Sequence, residues 1–78
     1  MTPSEELATL YEIVKAHPEG IRTIEVLNLH YGKLPDYEII RRRTGIYAKL
    51  RRLEKREQIA RLSISNQGDV WVPTPQTV

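Results

Sequence analysis

The segment from Asp36 to Glu57 constrains the fold most, because it is long enough for a helix of roughly six turns in a chain of 78 residues. On a helical wheel with about 100° per residue, four aliphatic side chains fall within an arc of about 60°. They are Ile39, Ile46, Leu50 and Leu53. One such stripe predicts a helix that packs against a core along one side only. Gly45 leaves two forms open, a continuous helix or two shorter helices joined by a turn.

Positive charge is concentrated in this same segment. The whole chain has 12 Lys and Arg against 10 Asp and Glu, a net charge of +2. Residues 36–57 contain eight Lys and Arg against four acids, which is +4, so the remaining residues sum to −2. A cationic element in an otherwise acidic chain is a candidate contact for a polyanion. The alternative is a solvated helix whose arginines serve solubility.

The side of the helix opposite the apolar stripe, here called the outer face, combines cations with small side chains. It contains Tyr37, Arg41, Thr44, Ala48, Arg51, Arg52 and Lys55, with Gly45 at its edge. Small residues let another surface approach the helix backbone, while arginines one turn away reach past them. We therefore predict that the outer face is the binding surface.

Two shorter helices are expected before this segment and a β-hairpin after it. Residues 5–16 repeat aliphatic side chains at helical spacing after Ser4, a natural cap, and residues 23–31 form a helix that Gly32 ends. Alternating side chains across residues 59–72, interrupted by the turn sequence NQGD, predict the hairpin. Trp71 is expected to pack in the core or against the hairpin rather than to stack on a base.

Several classes of function are not expected. The chain has no cysteine, and His17 and His30 have no ligand partners at a recognisable spacing, so neither a metal nor another cofactor is predicted. No apolar run approaches the roughly 20 residues of a membrane span, and the location expected is the cytoplasm. No nucleophile and base, paired carboxylates or glycine-rich phosphate loop stands out, so an enzyme is not expected.

The predicted elements follow the order of the winged helix-turn-helix family: a helix, a short strand, two helices and a hairpin. The chain resembles the small regulators of this family that occur in prokaryotes, phages and plasmids. The stretch LRRLEKREQIARL (50–62) resembles the end of that family's recognition helix running into the wing, and HPEGIRTIEVL (17–27) resembles the entry to helix 2. The chain departs from the family in having Glu57-Gln58 where a glycine is usual, and in about two extra helical turns, PDYEIIRR. The resemblance implies an α+β fold, a three-helix winged helix-turn-helix with a C-terminal β-hairpin wing. It also implies one domain over residues 1–78, with 1–4 as a lead and 73–78 as a loose tail.

The same resemblance implies sequence-specific binding of double-stranded DNA by a small transcriptional regulator. Helix 3 would enter the major groove through the outer face, and the wing would lie on the adjacent backbone. The expected contacts are Tyr37, Arg41, Thr44, Ala48, Arg51, Arg52 and Lys55 on the helix, and Arg61, Asn66 and Gln67 in the wing. A homodimer, or cooperative copies on DNA joined through helix 1 or the tail, is expected because one 9.1 kDa chain offers few base contacts. The alternative function is a protein interaction module whose arginine face docks an acidic partner.

Overall fold

The described part of the chain forms three helices and a three-stranded antiparallel sheet. The computed structural model describes residues 2–64 and 68–74, and at positions 63, 64 and 68 it describes the backbone alone. The strand order is β1-β3-β2. This confirms the predicted α+β fold and is consistent with a winged helix. The elements are α1 (Pro3–Lys15), β1 (Ile21–Arg22), α2 (Thr23–Tyr31), α3 (Asp36–Lys55), β2 (Ile59–Ile64) and β3 (Gly68–Pro73).

All three helices and the sheet contribute to one hydrophobic core. The predicted stripe of α3 supplies the buried Ile46, Leu50 and Leu53, while Ile39 is only partly buried. The other buried core residues are Leu7, Leu10, Val14, Ile21, Val26, Leu27, Ile59 and Trp71. No side chain in residues 36–45 is buried, so the first half of α3 projects beyond the core.

Helix α3 is continuous through Gly45, which excludes the form with two shorter helices. The helix ends at Lys55, two residues before the predicted limit at Glu57. Two backbone hydrogen bonds close its last turn. Gln58 N–H donates to the carbonyl of Leu53 at 3.1 Å, and Glu57 N–H donates to that of Glu54 at 2.9 Å. This is a Schellman ending, and Glu57 takes the left-handed position that glycine usually fills, with φ of 62°.

The described elements extend into both the expected lead and the expected tail, of which residues 75–78 lie outside the described residues. The cap of α1 is Thr2 rather than Ser4, because Thr2 Oγ1 accepts from the N–H of Glu5 at 3.2 Å. Helix α1 therefore begins within the expected lead. In the expected tail, Pro73 belongs to β3 and Thr74 N–H donates to Gln58 at 3.2 Å.

The hairpin turns Trp71 toward the helices. Trp71 is fully buried, pairs across the sheet with Ile21 on one side and Arg61 on the other, and donates its indole N–H to Thr23 Oγ1 at 2.8 Å. Of the two positions expected for Trp71, the core or the hairpin, the structure shows the core. Leu62 lies on the opposite side of the hairpin and is 49% exposed.

Candidate nucleic-acid interface

Six of the seven side chains of the outer face are exposed to solvent. Tyr37 is 71% exposed, and the side chain of Arg41 is 81% exposed. Thr44, Ala48, Arg52 and Lys55 are exposed as well. From Tyr37 to Lys55 the face is about 27 Å long, at about 1.5 Å of helix rise per residue. It presents cations near both ends and small side chains in between, with no carboxylate on the face itself.

The cations of the outer face differ in how strongly other residues hold them. Arg41 Nη1 lies 3.8 Å from Glu38 Oε1, a contact between largely solvated groups that contributes little. Among the residues that the structure describes, Arg52 and Lys55 have no ion pair or hydrogen-bond partner for their side chains. Their charges are therefore available to an external anion.

Arg51 is placed differently, at the junction of α3 and the hairpin. Its side chain is 41% exposed, and its Nε lies 2.8 Å from Glu54 Oε1 without an aligned hydrogen bond. The hydroxyl of Tyr47, and then the charge of Glu54, hold the pKa of Arg51 above its ordinary value. Arg51 is thus partly neutralised within the chain.

Arg61 is also held inside the protein. It donates to the hydroxyl of Tyr47 at 2.5 Å, and it lies 3.7 Å from carboxylate oxygens of both Glu54 and Asp69. Its charge links α3 to the two strands of the hairpin, so the phosphate contact expected of it competes with these carboxylates. The other predicted wing contacts, Asn66 and Gln67, lie outside the described residues.

A junction between the three helices, which the sequence analysis did not identify, fixes the orientation of α3. Glu6 of α1 accepts from Lys49 of α3 through one oxygen, and its other oxygen lies 2.9 Å from His30 Nε2 of α2. The hydrogen bond from Lys49 contributes most to a lowered pKa of Glu6, and burial opposes it. No local pattern marks these residues as partners, because 24 and 43 positions separate Glu6 from them.

Arg42 makes a second contact between α2 and α3. Its Nε donates to Glu38 at 3.0 Å, and its guanidinium lies 5.0 Å from the ring centre of Tyr31. The bond to Glu38 also holds the pKa of Arg42 above its ordinary value. A shallow cavity of about 310 Å³ lies beside this contact.

Gly45 is exposed at the edge of the outer face. A Cβ added there would meet no other atom within 4 Å, and φ is not in the left-handed region. Glycine in a helix interior costs roughly 0.5 to 1 kcal/mol relative to alanine. Among the residues that the structure describes, neither packing nor backbone conformation accounts for glycine at this position.

The described residues contain no group of three His, Asp or Glu side chains placed to hold a metal ion. Within the same ranges, no helix has both the length and the apolar character to cross a membrane. Comparison with family models, with curated proteins and with solved structures found no match to this chain.

Proposed function

We propose that the protein binds double-stranded DNA as a small transcriptional regulator, with the outer face of α3 in the major groove. The observation that carries this proposal is the free positive charge of that face. Arg52 and Lys55 have no charged partner within the described residues, and Arg41 is 81% exposed with only a 3.8 Å contact to Glu38. Cations on one exposed face are the electrostatic footprint of a phosphate-binding surface.

The shape of α3 also suits a DNA groove. A helix with its side chains is about 10 to 12 Å across, and the major groove of B-form DNA is about 12 Å wide. No side chain in the first half of α3 is buried, so most of its surface is open to a duplex. Thr44 and Ala48 then lie nearest the groove floor, where a hydroxyl or a methyl group can contact base edges.

The cations divide into two roles by how they are held. Arg52 and Lys55 are unpaired within the described structure and suit phosphates on either side of the groove. Arg41 has the freedom to reach a phosphate or the O6 and N7 atoms of guanine. Arg51 would support the helix at the hairpin junction and join the contact only by giving up part of its pairing with Glu54.

In this proposal the wing lies along the DNA backbone next to the groove. Arg61 contacts Tyr47 and Glu54 of α3 and so holds the hairpin against that helix. Direct contact would come from Asn66 and Gln67 in the connection between the strands. The protein would act in the cytoplasm, where its DNA target is accessible.

We also propose that two copies bind together, as a homodimer or cooperatively on adjacent sites. Among the described residues, the large apolar side chains that are exposed are Leu29, Tyr37, Ile40 and Leu62, and none of these is on α1. The joining surface is therefore better placed on α2, α3 or the hairpin than on α1. Sedimentation should show two chains per minimal DNA site, and a single chain both free and bound would contradict this.

A second candidate function is docking to an acidic protein, and one observation favours it. Ile40 is 75% exposed beside Tyr37 and Arg41, and an aliphatic side chain contributes nothing to a phosphate contact. Interfaces between proteins combine such apolar residues with arginine. Binding to an acidic partner would tolerate Arg41→Lys, whereas bidentate pairing with guanine would not.

The proposed function is tested by fluorescence anisotropy with random-sequence duplex DNA at several salt concentrations. The Arg52→Ala/Lys55→Ala variant removes two outer-face charges. The matched control, Arg43→Ala/Arg56→Ala, removes two exposed charges away from that face, one on α3 and one directly after it. Losing two phosphate contacts should make the slope of log K against log salt shallower by about 1.8, with little change in the control. No binding at low salt, or equal loss in both variants, would contradict the proposal.

A further inference from the structure

A cationic cleft lies between the C-terminal end of α2 and the middle of α3. It has a volume of about 310 Å³ and is lined by Tyr31, Arg41, Arg42, Gly45 and Lys49. That size lies at the lower end of the range of about 300 to 1,000 Å³ for small-molecule sites. Three of its five lining side chains are cationic, so an occupant would be an anion.

The cleft follows from the spacing of residues along α3. Arg41, Gly45 and Lys49 are four residues apart, so they form one row along the helix surface. Glycine occupies the middle turn, which leaves a gap between two cations about 12 Å apart along the axis. An added Cβ at Gly45 meets no protein atom, so this gap is open to solvent.

Two of the three cations are held in position before any ligand arrives. Arg42 is fixed by Glu38 and by the ring of Tyr31, and Lys49 is fixed by Glu6. The third, Arg41, is 81% exposed and touches Glu38 only at 3.8 Å, so it is free to close over a bound group. With Glu38 and Glu6 counted, the surroundings keep a charge of +1, to which His30 adds when it is protonated.

We propose that this cleft binds a phosphate group, with Gly45 providing the close approach and the two arginines and Lys49 providing the charge. A compact anion with several acceptor oxygens matches two guanidinium groups and an ammonium group. The proposal also explains the glycine on an exposed helix face, which nothing within the described residues requires. The phosphate comes either from the DNA backbone, in which case the inference rests on the proposed function, or from a free phosphate compound.

The test is titration of ¹⁵N-labelled protein with pyrophosphate at constant ionic strength, followed by titration with a short duplex. Saturable shifts of the Arg41, Gly45 and Lys49 amides by pyrophosphate identify a site for free phosphate compounds. Shifts of these amides by the duplex alone identify the DNA backbone as the source. If neither ligand shifts them, the proposal is wrong.

Gly45→Ala is the decisive variant, because its two expected effects have opposite signs. The variant should melt a few degrees higher, since alanine favours the helix, yet it should bind the ligand at least fivefold more weakly because its methyl group enters the cleft. Arg41→Gln should weaken binding by a similar factor. Arg43→Gln removes one exposed charge from the same helix outside the cleft and should leave pyrophosphate binding unchanged. Unchanged binding by Gly45→Ala would overturn the proposal.

The outcomes also separate this inference from the proposed function. If Gly45→Ala binds duplex DNA as tightly as the original protein and pyrophosphate does not bind, the cleft inference fails and DNA binding stands. If pyrophosphate binds in the cleft and duplex DNA does not bind at low salt, the cleft inference stands and the proposed function fails.

Discussion

At the scale of single residues, Trp71 is the largest fully buried side chain of the described core, and its indole carries a polar N–H. It is fully buried and therefore needs a partner for its N–H, which Thr23 supplies at 2.8 Å. The edge of its ring system also meets Tyr47, with ring centres 5.7 Å apart. Sequence reasoning left both core packing and hairpin packing open for Trp71, and no local pattern indicated its bond to Thr23, 48 positions away.

The Thr23→Val substitution tests this hydrogen bond. Valine keeps the branched shape, but it leaves the indole N–H buried without a partner, so the free energy of unfolding should fall by about 1 to 3 kcal/mol. Urea unfolding measures the change. The exposed Thr44→Val substitution is the control and should stay within about 0.5 kcal/mol. An equal effect at both positions would show that the hydrogen bond is not the cause.

At the scale of secondary-structure elements, the end of α3 carries a local conflict between sequence and backbone. Glu57 holds a left-handed conformation with φ of 62° at the Schellman position. This conformation costs a residue with a Cβ roughly 1 kcal/mol or more of folding free energy, whereas it costs glycine little. The winged helix resemblance points to glycine in this turn, and the structure gives the physical reason.

Glu57→Gly should therefore stabilise the protein by about 1 kcal/mol, which corresponds to a melting temperature about 4 to 8 °C higher. Glu57→Ala is the matched control, because it removes the charge and keeps the Cβ. It should change the melting temperature little. If alanine stabilises as much as glycine, the gain comes from charge and the conformational explanation is wrong.

At the scale of the whole molecule, Glu6 joins the three helices through Lys49 and His30. Because its pKa is lowered in the folded protein, the folded state binds fewer protons than the unfolded chain near the ordinary value of 4.5. The stability that this group contributes is present above pH 4.5 and is lost as the pH falls through its lower folded pKa. Acid should therefore loosen the packing between helices.

Glu6→Gln should lower the free energy of unfolding by about 1 kcal/mol at pH 7, since glutamine keeps the hydrogen bond but not the charge. The difference from the original protein should narrow as the pH falls below 4.5. Unfolding curves at a series of pH values measure it, with the exposed Glu12→Gln as control. A difference independent of pH would mean that the charge of Glu6 does not matter.

Much of the fold followed from patterns that lie within single elements. The stripe of Ile46, Leu50 and Leu53 predicted both α3 and the side that it buries, and alternation predicted the hairpin. Helix caps were less predictable, because Thr2 and Ser4 are chemically similar candidates only two residues apart. The contacts of Glu6 were beyond sequence reasoning, because they depend on how the helices pack.

For the candidate site, the sequence predicted which side chains are exposed but not all of the contacts that they make within the protein. Helical geometry alone indicates which side chains of α3 point away from the core, and six of the seven on the outer face are exposed. Arg51 and Glu54 are three residues apart on α3, a spacing at which helical side chains meet, so their pairing could have been anticipated. The pairing of Arg61 with Glu54 could not, since it requires the hairpin to fold against the helix. Whether any of these residues contacts DNA stays a prediction.

The most direct measurement of the central claim is a map of amide shifts when ¹⁵N-labelled protein is titrated with short duplex DNA at low salt. If the outer face of α3 binds the duplex, the largest shifts should occur at Thr44, Ala48, Arg52 and Lys55, and shifts on α1 should be small. Shifts confined to other surfaces, with the outer face unchanged at saturating duplex, would contradict it.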